Sequence, residues 1–315
     1  MIGFILRRLV QLVPVVLLAS FGIWAMIYAV PGGPVSALLG DSASPEQIQA
    51  LTQQLGLDRP VLVQYLDWLG HALRGDLGRS LQSKEAVLTL IGQRLPATLQ
   101  LAVAAMLVGL LFGVPAAIAS ALRPGSWLDR VLSLWGALAL GVPTFWVGIL
   151  LILLFAVVLR ALPSAAAYVP FWESPGRMLA NITLPALSLG IYVSGIFARF
   201  LRDSLLGELR ADYVRTARSK GLREGAIVTG HVMPNAMLPF VTVVGLMLAS
   251  FVGGALVTEA VFTYPGLGRL LIQAINVRDY PLIQGCILVV LVMYVLINLV
   301  VDLLYIYIDP RTERS

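Results

Sequence analysis

Six long stretches of the sequence contain no Asp, Glu, Lys or Arg. Each has between 21 and 34 residues, and they cover positions 9–30, 95–122, 131–159, 178–198, 225–258 and 280–301. An α-helix of about 20 apolar residues crosses the hydrocarbon core of a bilayer, which is roughly 30 Å thick. The pattern therefore predicts an all-α membrane protein with six transmembrane helices.

The composition agrees with a membrane location. Hydrophobic residues make up 58% of the chain and charged residues 12%, whereas a soluble domain has about 25% charged residues. The first stretch follows Arg7 and Arg8, as the core of a secretory signal would. It is longer than a usual signal core, however, and no clear small-x-small cleavage site follows it. We expect it to be retained as the first helix.

The basic residues between the stretches predict the orientation. If both termini are cytoplasmic, the segments 123–130 and 199–235 are cytoplasmic too, and Lys and Arg are then denser inside than outside. This is the distribution that membrane proteins favour. Basic loops on the cytoplasmic side also account for the net charge of +5, so no nucleic acid partner is expected.

These assignments divide the chain into four parts. Residues 1–30 form a cytoplasmic N-terminus and the first transmembrane helix, and residues 31–94 form an extracytoplasmic loop. Residues 95–308 form a core of five transmembrane helices with a cytoplasmic loop at 202–234. Residues 309–315 form a cytoplasmic tail.

The loop 31–94 carries its own helix signals. Ser44, Pro45 and Gln47 stand at the N-cap, first-turn and capping-box positions of a helix that should stop near Gly56. A second amphipathic helix is expected after Asp58, and a third is expected to be capped by Ser83. The inward residues are predicted to be Val61, Tyr65, Leu66, Leu69 and Leu73 in the second helix, and Val87, Leu88, Ile91 and Leu95 in the third. Two roles are open for such helices: they cap the bundle only, or they cap it and also dock an extracytoplasmic partner.

Prolines and glycines recur within the stretches. Pro143 and four further prolines allow kinks. Small residues allow close contacts between helices, and the candidates are Gly109, Gly113, Gly141, Gly190, Gly253 and Gly254.

The uncharged stretches lack the side chains that several other membrane functions need. Ion-driven carriers usually hold ionisable groups at mid-membrane, although backbone carbonyls can also bind sodium. The sequence contains neither the phosphate-binding G-x-x-x-x-G-K-[ST] pattern nor the metal-binding His-Glu-x-x-His pattern. We expect this chain to be no enzyme and to hold no cofactor or metal of its own. An ion-coupled secondary transporter and a membrane-bound enzyme stay open as alternative classes.

The most informative segment lies between the fourth and fifth stretches. The charged residues 212–220 predict a short helix, Gly221 a break, and residues 222–234 a second short helix that leads into the next span. An element of this kind at the cytoplasmic surface either inserts into a groove on a partner or forms a solvated loop with positive-inside charge.

This segment resembles the cytoplasmic signature of permease subunits of ATP-binding-cassette (ABC) importers. That signature reads E-A-A-x-x-x-G, nine residues, then I-x-L-P, and Ala217, Gly221 and Pro234 match it. The other positions depart from it, with Arg215, Thr216, His231 and Met233 in place of the usual residues. The departures are similar to the dipeptide, oligopeptide and nickel branch, in which Tyr-x-x-Thr-Ala-Arg-x-Lys-Gly-Leu is usual. That version matches at Tyr213, Thr216, Ala217, Arg218, Lys220, Gly221 and Leu222.

Further motifs of this branch follow in order along nearly the whole chain. They include Gly75-Asp76-Leu77-Gly78, Leu95-Pro96-Ala97-Thr98-Leu99, Glu259-Ala260-Val261-Phe262, Tyr264-Pro265-Gly266-Leu267-Gly268-Arg269, Arg278-Asp279-Tyr280-Pro281, and Asp309-Pro310-Arg311. His231, Asn235, Ala236 and Pro239 also match. The resemblance is to the first of the two permeases of such systems.

The resemblance implies the ABC type I importer permease fold in a bacterial cytoplasmic membrane. It implies a second homologous permease, two ATPase subunits that bind ATP and Mg, and an extracytoplasmic solute-binding protein. It further implies that a coupling helix meets an ATPase subunit, and that Tyr213 and Ala217 are packed contacts there. The residues assigned to this coupling are Asp212, Tyr213, Arg215, Thr216, Ala217, Arg218, Lys220, Gly221 and Leu222. Arg215, Arg218 and Lys220 would meet acidic groups or extend to the membrane surface.

The expected cargo is a dipeptide or oligopeptide. Nickel or metal–chelator complexes, glutathione and antimicrobial peptides are the alternatives within the same machinery. Glu259, at the outer end of the fifth stretch, is a candidate for the substrate path because its carboxylate could attract an amino group or a metal complex. The alternative is a structural carboxylate bonded to nearby loop amides.

Overall fold

The computed structural model describes residues 2–29, 35, 44–54 and 58–308. Most of these residues are helical, and the rest form turns, irregular segments such as 159–174, and one isolated antiparallel bridge between Arg79 and Ala86. The helices are α1 (Ile2–Ala25), α2 (Pro45–Gln54), α3 (Val61–Leu73), α4 (Val87–Ala121), α5 (Trp127–Gly141), α6 (Thr144–Leu151), α7 (Pro175–Leu209), α8 (Asp212–Ser219), α9 (Glu224–Ile227), α10 (Met233–Gly254), α11 (Leu256–Val261), α12 (Leu267–Asn276) and α13 (Tyr280–Ile308). A 3-10 turn (Met26–Ala29) follows α1, and π-helical segments follow α6 (Ile152–Val158) and α9 (Val228–Val232).

Four helical segments of the described chain are long and apolar enough to cross a membrane: Val87–Ala121, Pro175–Leu209, Glu224–Gly253 and Tyr280–Leu304. The pair Trp127–Gly141 and Thr144–Val158 passes the same test together but is bent by 101°. The segment Val10–Ala25 is apolar but shorter. The count of six crossings and the cytoplasmic placement of both termini stay predictions.

The third stretch, 131–159, was expected as one span but is broken between α5 and α6. Val142 is extended, with φ −96° and ψ 128°, and Pro143 follows it. Proline has no amide hydrogen to donate, and it disfavours helical geometry in the residue before it. The break therefore has a local cause in the sequence.

The outer segment follows the predictions at its start. The Gln47 amide donates to Ser44 Oγ (3.3 Å) and the Ser44 amide donates to Gln47 Oε1 (3.1 Å), so the capping box of α2 is confirmed. α2 is described to Gln54, and the predicted stop near Gly56 lies outside the described residues.

Two predictions for the rest of this segment are wrong. No separate third helix is capped by Ser83; the helix begins at Val87 and runs without interruption to Ala121. The inward face predicted for the second helix also fails, because Tyr65 is buried in α3 while Val61, Leu66 and Leu73 are exposed. Periodicity identifies an apolar face, but it does not identify what covers that face.

The chain forms two compact units. One contains residues 97–268 and the part of α13 from Tyr294 onward. The other contains the chain up to Pro96 together with residues 269–293.

Within the first unit, α7 is the central helix and small residues bring α4 close to it. A Cβ atom on Gly109 would lie 2.6 Å from Val193 Cγ1, and one on Gly190 would lie 2.4 Å from Val108 Cγ1. A Cβ atom on Gly113 would lie 2.8 Å from the Ser194 carbonyl oxygen. These distances confirm the expected close contacts at three glycines, whereas Gly141 has open space around it.

Candidate functional site

The segment between α7 and α10 has the predicted order of short helix, glycine turn and second short helix. α8 ends at Ser219, and Gly221 has φ +76°, a left-handed conformation that side chains disfavour. The Gly221 amide donates to the Arg218 carbonyl (2.9 Å) and the Leu222 amide to the Ala217 carbonyl (3.3 Å). These two bonds form a Schellman C-cap, so the glycine break is confirmed with its geometry.

The inner face of α8 packs on its own chain. Val214 is 0% exposed and Ala217 is 7% exposed. Both belong to the core cluster that also contains Ile227 and Val232. The expectation that Ala217 is a packed contact for a partner is therefore corrected, because Ala217 anchors α8 to this chain.

The opposite face of α8 is exposed and polar. It carries Asp212, Arg215, Thr216 and Ser219, and the exposed residues Lys220 and Leu222 follow it. The Thr216 hydroxyl donates to the Asp212 carbonyl and the Ser219 hydroxyl to the Arg215 carbonyl, both at 3.0 Å. We refer to Asp212, Arg215, Thr216 and Ser219 as the outer face of α8.

Arg218 joins the two sides of the glycine turn. Its Nε and Nη2 atoms donate to the two carboxylate oxygens of Glu224 at 2.7 and 3.2 Å. Both side chains are exposed, so the pair adds little stability but orients α9 against α8. Arg218, predicted to meet an acidic group, meets one in its own chain.

Tyr213 ties α8 to both neighbouring long helices. Its hydroxyl donates to the Glu208 carboxylate in the last turn of α7, and Asn235 Nδ2 in the first turn of α10 donates to the phenol oxygen at 3.2 Å. Partial burial and the bond to Glu208 raise the pKa of the Tyr213 phenol, so it is a neutral donor at physiological pH. A displacement of α8 would therefore act on α7 and α10 together.

Glu259 does not line an open path in this structure. It is 0% exposed, and the Thr98 hydroxyl donates to its Oε1 at 2.7 Å. The turn that follows covers it so closely that a Cβ atom on Gly266 would lie 2.2 Å from Oε1. The Leu267 amide donates to Thr98 Oγ1 at 2.8 Å, so the turn is also bonded to the threonine that contacts Glu259. In this structure Glu259 is a buried carboxylate bonded to Thr98, and its role in the substrate path stays a prediction.

The sequence reasoning missed an ion pair at the start of α5, in which Asp129 is buried and Arg202 is half-buried. Arg202 Nε and Nη2 donate to the two carboxylate oxygens of Asp129 at 2.9 and 3.0 Å. Ser120 and the Gly125 amide also donate to Asp129. The cluster joins the end of α4, the first turn of α5 and α7. Asp129 stands at the capping-box position after Ser126, which was a usable signal, but its partner lies 73 residues away.

A second missed carboxylate, Asp279, explains two of the family motifs. It is buried, and it accepts from the Ser80 hydroxyl at 2.5 Å and from the Leu81 amide at 3.1 Å. The Leu282 amide of α13 donates to the same carboxylate at 3.4 Å. Asp279 is part of the Arg-Asp-Tyr-Pro motif, and Ser80 follows the Gly-Asp-Leu-Gly motif. The two motifs therefore build a turn and the start of a helix.

Comparison with known proteins decides the family. Residues 109–314 match the family model described as binding-protein-dependent transport system inner membrane component, and residues 1–102 match the model for its N-terminal part. The chain belongs to this family. A permease of this family is an inner membrane subunit that acts with a binding protein and an ATPase.

Curated relatives in this permease family cover almost the whole chain. A putative peptide transport system permease protein of Brucella abortus (strain 2308) is 39% identical over 99% of both chains. The dipeptide transport system permease protein DppB of Alkalihalophilus pseudofirmus is 37% identical over 99% of this chain and 100% of its own. The glutathione transport system permease protein GsiC of Salmonella choleraesuis is 39% identical over 98% of both.

A solved structure shows the fold. A chain of the methionine ABC transporter MetNI, in an inward-facing conformation, is similar with a TM-score of 0.57 at 19% identity. The match covers 70% of this permease and 96% of that chain. The ABC type I importer permease fold is therefore confirmed.

Proposed function

We propose that this chain is the permease subunit of an ATP-driven importer for dipeptides and oligopeptides. It forms half of the translocation path and has no ATPase site of its own. The proposal rests on the two different faces of α8. Its inner face is fixed to the membrane bundle, and its outer face presents a charged surface to a partner. A membrane protein of this family needs such a surface to receive the work of ATP hydrolysis.

The proposed complex contains this permease, a second homologous permease, two ATPase subunits that bind ATP and Mg, and one extracytoplasmic binding protein. The outer face of α8 with Lys220 and Leu222 lies in a groove of one ATPase. Val214 and Ala217 hold α8 on the permease, and Tyr213 connects it to α7 and α10. Closure of the ATPases then moves α8, and with it both helices, between inward- and outward-facing arrangements.

Photo-cross-linking in the assembled complex tests the position of the ATPase. A photoreactive amino acid at Arg215 or Ser219 should cross-link to an ATPase subunit. The same group at Asp67, which is exposed on α3, is the control and should give no ATPase product. Cross-links from Arg215 and Ser219 only to the binding protein, or to no protein, would refute the proposed coupling surface.

The peptide assignment rests on the relatives' names. Peptide and dipeptide permeases are among the relatives, and the glutathione permease is a relative of equal identity. Glutathione is itself a small peptide, so it is the second candidate. Purification of the associated binding protein with its bound ligand separates the two. A bound di- or oligopeptide other than glutathione supports the assignment, bound glutathione selects the second candidate, and a nickel complex would overturn both.

A further inference from the structure

Helix α3 carries a regular stripe of leucines, most of which are exposed in the described part of the chain. Leu62, Leu66, Leu69 and Leu73 recur at intervals of four, three and four residues, which places them on one helix face. Leu62 is 64% exposed, Leu66 55% and Leu73 80%, and Leu69 is half-buried. We call these four residues the leucine stripe.

A different face of α3 attaches it to α1. Tyr65 is buried, and its hydroxyl meets the Leu17 carbonyl at 3.2 Å and Ser20 Oγ at 2.8 Å. The Tyr65 ring also contacts Phe21 edge-on, with ring centroids 5.2 Å apart. This attachment fixes the orientation of α3, and it leaves Leu62, Leu66 and Leu73 of the leucine stripe exposed.

The attachment also fixes the level of α3 along α1. Leu17 and Ser20 lie within the apolar segment Val10–Ala25, roughly 12 and 8 Å before its end at a rise of about 1.5 Å per residue. Leu18, between them, is 75% exposed. The helix therefore lies beside an apolar part of α1 whose exposed side chains suit hydrocarbon.

The rest of α3 has the character of a membrane–water boundary. Asp67 forms an ion pair with Arg59 at 3.0 Å, and His71 Nδ1 is 2.8 Å from the Asp67 carbonyl oxygen, all on the exposed polar side. Aromatic residues surround the junction of α3 with α1, and they are Phe21, Trp24, Tyr28, Tyr65 and Trp68. Tryptophan and tyrosine concentrate at membrane interfaces.

We propose that α3 is an interfacial membrane helix. Its leucine stripe is inserted among the acyl chains of the leaflet at the C-terminal end of α1, and Asp67 and His71 lie in the headgroup layer. A soluble partner is a poorer fit, because the stripe offers no hydrogen-bonding group and its level is set by contacts within the apolar part of α1. The helix holds the segment between α1 and α4 at a fixed depth.

Spin labels on neighbouring residues test this in the full complex in lipid nanodiscs. The only cysteine, Cys286, is buried and is first replaced by alanine. Single labels are then attached at Leu66→Cys and Leu73→Cys, with Asp67→Cys and His71→Cys as matched controls. Power saturation measures collisions with oxygen, which is enriched in lipid, and with a water-soluble nickel chelate.

Labels on the leucine stripe should collide at least threefold more with oxygen than with the nickel chelate, and the control labels should show the reverse order. Greater access of the nickel chelate at Leu66 and Leu73 would show a water-exposed stripe and overturn the proposal. Low access to both reagents would mean that a protein partner covers the stripe, which would overturn it as well.

Discussion

Three buried carboxylates, those of Asp129, Asp279 and Glu259, each hold a turn or a helix start in place. A buried charge is costly unless hydrogen bonds compensate for it. Asp129 is paired with Arg202, while Asp279 and Glu259 accept from hydroxyl groups, and Asp279 also accepts from backbone amides. Carboxylates near the ends of the membrane helices of this permease therefore organise loops.

The variant Glu259→Gln tests whether this carboxylate meets substrate. The amide preserves the shape but cannot accept as strongly from Thr98, so we expect a lower thermal unfolding temperature. A destabilisation of about 1–3 kcal/mol is typical for a weakened buried hydrogen bond. The KM of ATP-dependent peptide uptake should be unchanged. A raised KM together with wild-type thermal stability would instead support the substrate role.

These contacts also show how far the sequence predicts the roles of single residues. The motifs around Thr98, Glu259, Asp279 and Gly78 were identified from the sequence, but their purpose was not. Thr98 and Glu259 lie 161 residues apart, and Ser80 and Asp279 lie 199 apart. Local patterns contain no information on such pairings, so the sequence leaves two roles open for Glu259, in the substrate path or as a structural carboxylate.

At the scale of elements, the turn between α8 and α9 is the part that the sequence predicted best. Helix, glycine break and second helix all depend on neighbouring residues, and backbone propensities act at that range. The inward direction of Ala217 was not predicted, because an eight-residue helix with one apolar side can place that side on its own chain or on a partner. The bend at Pro143 was allowed by the sequence, but its size of 101° depends on packing.

The substitution Gly221→Ala should weaken the coupling of ATP hydrolysis to transport, and it should do so only by straining the backbone. A Cβ atom there meets nothing within 4 Å, but φ is +76°, and a left-handed conformation costs an alanine roughly 1–2 kcal/mol. We expect several-fold lower uptake per ATP hydrolysed in reconstituted vesicles.

Gly225→Ala is the matched control for that substitution. Gly225 also has open space around it, it lies in α9, and it does not have a positive φ. This variant should transport normally. Equal losses in both variants, or none in either, would contradict the account of the turn.

At the scale of the whole molecule, the apolar pattern predicted membrane insertion and the family motifs predicted the importer fold. The family motifs also imply that the coupling helix meets an ATPase, but neither source predicts which part of the remaining exposed surface meets lipid. The sequence pattern does not show that the apolar residues on α1 and α3 or the charged residues on α8 are exposed. Their positions in the fold show it. The proposed division assigns the leucine stripe to lipid and the outer face of α8 to an ATPase.

ATP-dependent uptake by the complete complex carrying Thr216→Trp tests the central claim most directly. Thr216 lies on the exposed outer face of α8, so a bulky side chain there should leave folding and membrane insertion intact while obstructing the ATPase groove. We predict at least a tenfold loss of peptide uptake and loss of ATPase co-purification. Asp67→Trp, on exposed α3, should retain both. Wild-type uptake by the Thr216→Trp complex, with the ATPases still attached, would contradict the claim that work enters this permease through α8.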